Sequence, residues 1–146
     1  MPNYYAQIDS EGRVFGLSQL ADAVAADDLI PIDQESYTNP NLLYTRYVNG
    51  EFQGFLVRME ADKALIAPDG SDAMTIQATV TDWRGNVQKD YREELVLELN
   101  GMRHAVKVKE GVADLTISSD EPGEFRVRTV GMDRNAELKV VVTYGS

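Results

Sequence analysis

The fold of this chain is decided by one alternating stretch, Asp69-Gly-Ser-Asp-Ala-Met-Thr-Ile-Gln-Ala-Thr-Val-Thr-Asp-Trp-Arg-Gly-Asn86. It begins at the turn dipeptide Asp69-Gly70 and ends at the turn signal Arg84-Gly85-Asn86. Between the turns, apolar residues occupy every second position, at Met74, Ile76, Ala78 and Val80. A period of two between turn signals predicts one long β-strand with a single buried face. Because that face must be covered, the stretch also predicts a second sheet.

Short alternating segments continue from this strand to the end of the chain, separated by turn signals such as Asn100-Gly101 and Pro122-Gly123. The predicted strands lie at 64–67, from 73 onward, and at 94–99, 102–108, 113–117, 125–130 and 138–142. Seven strands with turns roughly every 8 to 12 residues are typical of an antiparallel sandwich. Since strands do not alternate with helices, the sequence predicts an all-β fold without a parallel sheet.

Residues 1–58 are predicted to form a small β-rich unit, and residues 59–146 the sandwich domain. The small unit holds two hairpins, one from 4–9 and 14–17 and one around Asn49-Gly50. The alanine-rich segment 21–28 predicts one or two helical turns, and Pro31 predicts that 29–32 is either a sheet edge or an extended packing segment. This unit is expected to pack against a partner, its own copies or the second domain, because its core is thin. The predicted core consists of Tyr4, Ile8, Val14, Phe15, Leu17, Leu29, Ile30, Leu42, Leu43, Tyr47, Phe52 and Phe55.

The composition limits the partners and the chemistry. The chain has 146 residues, a formal net charge of −10 and no cysteine. The negative charge argues against nucleic acid and anionic membranes as partners, and the lack of cysteine excludes disulfides and thiolate metal sites. No apolar run approaches the roughly 18 residues needed to span a membrane. Since the first residues lack the pattern of a signal peptide, we expect synthesis in the cytoplasm and release by another route, such as within a particle freed by lysis.

No residues in the sequence form a recognisable catalytic arrangement. His104, the only histidine, falls on the inward phase of its strand and is predicted to be a packed core residue, because no nucleophile or orienting partner accompanies it. Asp69, Asp72 and Asp82 carry the oxygen ligands that calcium prefers, but their spacing predicts turn-forming carboxylates instead. The 24 acidic residues give no pocket signal for glycoside hydrolysis by paired carboxylates. The sequence predicts no enzyme, no cofactor and no metal site.

Aromatic residues are the candidates for binding. Trp83 directly follows the long strand, and it either stacks on a sugar at the surface or packs across a strand end or an interface. Five tyrosines lie within residues 1–58, a composition typical of interfaces. These tyrosines either form an interface or complete a small core. The predicted interface set is Tyr4, Tyr5, Tyr37, Tyr44, Tyr47, Phe52 and Phe55, with Trp83 as a surface contact.

Two parts of the chain resemble known families. Residues 61–82 with Gly85-Asn86, and later 111–119 and 121–130, resemble the bacterial immunoglobulin-like repeats of invasin- and intimin-type surface proteins. The shared run is D-G-x-D-x-x-T-I-x-A-T-V-x-D-x-x-G-N, and it implies an immunoglobulin-like sandwich for residues 59–146. The segments 4–20, 29–32 and 47–52 are similar to small tail-associated proteins of phages that infect Gram-positive bacteria.

Together these resemblances imply a non-enzymatic structural protein at the surface of a phage particle, an accessory tail or fibre component. The partners they imply are other virion proteins, the chain's own copies with a trimer favoured, and weakly bound glycans of the host surface. A capsid decoration protein, with the N-terminal unit on the capsomers, is an alternative. A bacterial surface adhesin module is a further alternative, although the sequence shows a single such module and no wall anchor.

Overall fold

A computed structural model describes residues 3–144. Within these residues almost all regular structure is β-strand, so the predicted all-β fold is confirmed. The chain divides into two compact units. Unit 1 comprises the residues up to Phe55 together with Asp82–Asn86, and unit 2 comprises Leu56–Thr81 together with the residues from Val87 onward. No helix in the described range is long and apolar enough to cross a membrane.

Unit 1 is built on a three-stranded sheet and a small hairpin. The sheet consists of β1 (Asn3–Ile8), β2 (Val14–Leu20) and β3 (Leu29–Ile32), in the order β2-β1-β3 with antiparallel pairing. The hairpin consists of β4 (Arg46–Val48) and β5 (Glu51–Gln53), joined at Asn49-Gly50 as predicted. Along the chain, α1 (Gln34–Tyr37) and a 3-10 helix (Pro40–Tyr44) follow β3 and precede β4. Pro31 lies in an edge strand, which is one of the two predicted alternatives.

The alanine-rich segment 21–28 contains no helix, so that prediction is wrong. All eight of its residues are exposed, and such a segment has no large apolar side chains with which to anchor a helical turn. It is held instead through the Val24 N–H, which donates to the Tyr5 hydroxyl at 2.8 Å. The helix of unit 1 begins later, where the Asp33 carboxylate caps α1 by accepting from the Ser36 N–H at 2.7 Å.

Phe15 is exposed by 64%, although the alternation of the sequence placed it in the core. The cause is a register shift between β1 and β2: Ile8 pairs with Val14 and Gln7 pairs with Gly16, so Phe15 is the extra residue of a β-bulge. A bulge re-aims side chains, and here it leaves the phenyl ring in solvent. Leu43 and Phe55 of the predicted core are exposed as well. The buried apolar residues of unit 1 are Tyr5, Ala6, Val14, Leu42 and Trp83.

Unit 2 is the predicted immunoglobulin-like sandwich of two sheets. One sheet has the strand order β10-β9-β12-β13-β7 and the other β11-β8-β6. All seven predicted strands are present, β7 pairs in parallel with β13, and one additional strand, β6, had not been predicted. The strands are β6 (Leu56–Ala61), β7 (Leu65–Ile66), β8 (Met74–Thr81), β9 (Glu94–Leu99), β10 (Met102–Lys107), β11 (Val112–Ile117), β12 (Gly123–Val130) and β13 (Glu137–Val142).

The strand β8 supplies the centre of the core, as its alternation predicts. All four of its inward apolar residues are at most 1% exposed, and they pack with apolar residues of β9, β12 and β13 from the other sheet. Thr79 and Thr81, on the polar phase of the strand, are also buried. The principal core residues are Met74, Ile76, Ala78, Val80, Leu95, Leu97, Val127, Val140 and Val142.

His104 is exposed, so the prediction of a core histidine is wrong. It lies in β10, which is the edge strand of its sheet. Its phase is inward, opposite the buried Leu97, but the chain reaches the core only farther along, at Val106 near the end of β10 and at Val108 just after it. The alternation of a strand predicts the side to which a side chain points, but it does not predict whether that side is covered.

The loop before β8 is held by carboxylates whose pKa values are lowered. The Asp72 carboxylate pairs with the Lys63 ammonium at 2.5 Å and accepts from the Ala67 N–H at 2.8 Å, and these contacts lower the pKa of Asp72 below 3.8. Hydrogen bonds from the backbone N–H groups of Asp72 and Ser71 lower the pKa of Asp69 in the same way. Both carboxylates therefore stabilise the loop in their charged form.

We expect Asp72→Asn to destabilise the protein at pH 6 and to destabilise it less at pH 3. Because the folded-state pKa lies below the unfolded value, the contribution of Asp72 is complete above pH 3.8 and is lost as the pH falls through the folded value. Urea midpoints measured at both pH values test this, with Asp114→Asn, an exposed carboxylate on β11, as the control. A difference between Asp72→Asn and wild type that stays constant with pH contradicts the expectation.

Candidate functional site

A small cleft in unit 1 is the candidate binding site, with a volume of about 180 Å³. Its lining combines two carboxylates, a guanidinium, a hydroxyl, an amide and the single indole of the chain. Ligand pockets for drug-sized molecules occupy roughly 300–1,000 Å³, so this cleft admits only a small polar group. The lining residues are Asp33, Glu35, Ser36, Asn39, Trp83 and Arg84.

The start of α1 forms one wall of the cleft. Hydrogen bonds from the side chain and the N–H of Ser36 lower the pKa of Asp33, and the nearby Arg84 guanidinium adds to the effect. Ser36 is 8% exposed and its hydroxyl is engaged with this cap. These contacts hold Asp33 as a charged acceptor at the mouth of the cleft, and they leave Ser36 in a structural role.

Asn39 joins the 3-10 helix to the five-residue segment Asp82–Asn86. Its side-chain oxygen accepts from the Asn41 N–H at 3.0 Å, which caps the 3-10 helix. Its amide nitrogen donates to the backbone carbonyl of Trp83 at 3.1 Å. The position of Trp83 in unit 1 is therefore set by a hydrogen bond between residues 44 positions apart in the sequence.

The Asp82 carboxylate shapes the turn that carries Trp83. Its Oδ1 accepts from the N–H groups of Arg84 and Asn86, each at 2.9 Å. Asp69 and Asp72 likewise accept from backbone N–H groups in their own loop. Within residues 3–144, no group of three or more His, Asp or Glu side chains is arranged to hold a metal ion. All three carboxylates thus serve as turn formers.

Trp83 is only 8% exposed. Its ring meets Phe52 edge-on with centroids 6.3 Å apart, and the Arg84 guanidinium lies 4.7 Å from the ring centroid. An indole covered in this way has no open face on which a sugar ring could stack. Its burial favours the packing alternative over the sugar-stacking alternative.

Four of the seven predicted interface residues pair with each other in unit 1. The rings of Tyr4 and Tyr37 lie 4.8 Å apart, and those of Tyr47 and Phe52 lie 4.9 Å apart. Tyr5 is buried and accepts a hydrogen bond through its hydroxyl. These contacts favour the core alternative for the five residues. The remaining two, Tyr44 and Phe55, are exposed by 45% and 44%, and an interface role for them stays a prediction.

Only weak local patterns indicate the polar lining of the cleft. Asp33 followed three positions later by Ser36 is a pattern that caps a short helix, and Asn39 before Pro40 is a turn signal. Neither pattern indicates that Trp83, far away in the sequence, completes the site. No local pattern indicates that Arg84 lines the cleft, because its neighbours predict only a turn.

No family model and no curated protein matches the sequence of this chain. Solved structures are similar to it at low sequence identity. A glycosyl hydrolase family 2 member from Bacteroides cellulosilyticus aligns with a TM-score of 0.54 and 16% identity, over 68% of this chain and 17% of the hydrolase. The D00-D0 domain of intimin aligns with a TM-score of 0.46 and 24% identity, over 65% of this chain and 51% of that one.

A C-terminal fragment of intimin, solved in complex with the intimin-binding domain of the translocated intimin receptor, aligns with a TM-score of 0.42 and 23% identity. That alignment covers 60% of this chain and 33% of the fragment. The chain thus spans about half or less of each of these structures. At identities below 25%, the similarity extends to the fold and not to an activity, substrate or partner.

Proposed function

We propose that this chain is a non-enzymatic structural protein of a phage particle, an accessory component of the tail or fibre. In this proposal unit 2 is an immunoglobulin-like display module, and unit 1 attaches the chain to other virion proteins and to sister copies. The motif resemblances of residues 4–52 and 61–130 support it. Weak contacts with host-surface glycans, multiplied over many copies, add avidity without a deep pocket.

The observation that carries the proposal is the unequal exposure of apolar side chains. Within residues 3–144, unit 1 exposes five large apolar side chains although it is the smaller unit, whereas unit 2 exposes three. An accumulation of apolar surface on a small unit is typical of an attachment surface. The exposed residues of unit 1 are Phe15, Val24, Leu43, Tyr44 and Phe55, and those of unit 2 are Leu65, Met102 and Tyr144.

Unit 2 has the properties of a self-contained module. Its core is closed, and exposed charges on its five-stranded sheet are paired across strands. Arg128 pairs with Glu98 at 2.6 Å and Arg126 with Glu137 at 3.0 Å. A display module needs this kind of stability and no catalytic cleft. The same properties suit a bacterial surface adhesin module, which is the second candidate because the shared motif of residues 69–86 is that of invasin- and intimin-type repeats.

The experiment that tests the proposal is detection of the chain in purified particles. Particles released by lysis from cells that carry the gene are analysed by mass spectrometry and labelled with gold-coupled antibodies. Gold at the tail or fibre supports the proposal, and gold over the capsid supports the decoration alternative. A chain found at the cell surface and absent from particles supports the adhesin candidate and overturns the virion proposal.

We expect the purified chain to be a trimer in solution, with a mass about three times 16.2 kDa. The expectation rests on the thin core and exposed apolar surface of unit 1. Light scattering after size exclusion measures the mass directly. A mass of 16.2 kDa at all accessible concentrations contradicts self-association, and unit 1 then has only other virion proteins as partners.

A further inference from the structure

Two arginines lie directly opposite each other in unit 1. Arg13 and Arg46 form an isolated antiparallel bridge, flanked by hydrogen bonds from the Val14 N–H to the Thr45 carbonyl and from the Tyr47 N–H to the Gly12 carbonyl. This is the non-hydrogen-bonded type of antiparallel pair, in which facing side chains come closest. Both arginines are exposed. Like charges in this position are destabilising, so the pair calls for an explanation outside the fold of one copy.

Neither guanidinium has an acidic partner at ion-pair distance within residues 3–144, whereas five basic residues of unit 2 do. Acidic residues are not scarce in unit 1, which holds nine of them against three basic residues. The acidic ones are Asp9, Glu11, Asp22, Asp27, Asp28, Asp33, Glu35, Glu51 and Asp82, and the basic ones are Arg13, Arg46 and Arg84. The two opposed arginines are therefore left available for an acidic surface of another molecule.

A third exposed residue, Phe15, follows Arg13 by two positions in the sequence. The β-bulge places it in solvent, where it is 64% exposed. Arginine and aromatic side chains are the residue types most enriched in the energetic centres of protein interfaces. We name the surface formed by Arg13, Phe15 and Arg46 the arginine face.

The segment 21–28 has the complementary chemistry. Its eight residues are all exposed, they include Asp22, Asp27 and Asp28, and they contain no basic residue. The other five residues of the segment are four alanines and Val24, which is 42% exposed. The segment leads into β3, whereas Arg13 leads into β2, and β1 lies between these strands. No ion pair joins the segment to the arginine face within one copy.

We propose that the arginine face of one copy docks on the segment 21–28 of a second copy. The inference deepens the self-association proposed above and rests on it. Both halves of the contact are present on every copy, and the contact joins different surfaces, so it is heterologous. A heterologous contact builds a ring such as a trimer when its rotation closes. A polyanion such as nucleic acid fits less well, because a chain with a net charge of −10 repels it at long range.

The test uses two double charge reversals in the full chain, Arg13→Glu with Arg46→Glu, and Asp27→Arg with Asp28→Arg. Each reversal places like charges at the contact, so each variant alone is expected to fall to 16.2 kDa in light scattering. Combined in one chain, the four substitutions present opposite charges again at every contact of the ring, and this quadruple variant is expected to recover the wild-type mass. Arg126→Glu, which disrupts an exposed ion pair of unit 2, is the control and retains that mass. Near-UV circular dichroism verifies that each variant is folded.

Each outcome is decisive. Loss of mass in both double variants with recovery in the quadruple variant supports the contact. Double variants that keep the wild-type mass overturn the arginine face while self-association stands, and a quadruple variant that fails to recover mass overturns the segment 21–28 as its partner. A monomeric wild-type chain overturns both the contact and self-association, and detection in particles then tests the virion role independently.

Discussion

Replacing Trp83 by alanine is expected to destabilise unit 1 by about 3–5 kcal/mol, the usual cost of removing a buried aromatic ring. The ring is 8% exposed, packs edge-on against Phe52 and lies under the Arg84 guanidinium. Unit 1 has few other large buried side chains. Because the free energy of unfolding of a small domain is only about 5–15 kcal/mol, a loss of this size removes much of it.

Hydrogen exchange followed by mass spectrometry measures this effect where it is expected. Peptides from residues 3–55 of Trp83→Ala should exchange faster than those of wild type, because local opening becomes less costly. Arg84→Ala is the matched control: it removes the exposed cation above the same ring, a contact worth about 0.5–1 kcal/mol. Equal exchange rates in the two variants would show that the indole contributes little to unit 1.

Gly111→Ala is expected to destabilise unit 2 by about 2–5 kcal/mol, from two additive sources. Gly111 has a φ of +82°, which costs a residue with a Cβ about 1–2 kcal/mol. A Cβ at this position would also lie 2.7 Å from the carbonyl oxygen of Gln88 and 2.8 Å from Cγ1 of Val87. The backbone has little freedom to move away, because the Gly111 carbonyl accepts from the Val80 N–H of the central strand at 2.8 Å.

Gly101→Ala separates the two sources of strain. Gly101 has a similar φ of +78°, in the turn between β9 and β10, but nothing lies within 4 Å of its added Cβ. The Gly101→Ala substitution should therefore destabilise unit 2 only through its positive φ, by about 1–2 kcal/mol. Urea unfolding followed by far-UV circular dichroism compares the midpoints of the two variants. Equal shifts would mean that the overlap at Gly111 is relieved without cost.

Local signals in the sequence were sufficient for much of the fold. The alternation of β8 correctly predicted which of its side chains enter the core, because a buried face imposes a period of two. The dipeptides Asn49-Gly50 and Asn100-Gly101 correctly predicted two hairpins, because their backbones accept positive φ angles. These features depend on neighbours in sequence.

Features that depend on distant residues were not predictable in the same way. Phe15 is exposed through a bulge set by the pairing of β2 with β1. His104 is exposed because it lies in the exposed part of an edge strand, although its phase in the alternation is inward. The candidate site shows the same limit most clearly. Trp83 joins Asn39 and Phe52 across more than 30 residues of sequence, and no local pattern brings these three together.

The discontinuity of unit 1 affects how its gene can recombine. A single crossover after the codon for Phe55 would pass on the first 55 residues without Asp82–Asn86, and hence without the indole and the carbonyl that Phe52 and Asn39 contact. A foreign immunoglobulin-like module could replace the native one only if it also brought a compatible five-residue turn. Inheritance of the two units is therefore coupled, and we expect them to have diversified together rather than by exchange of cassettes.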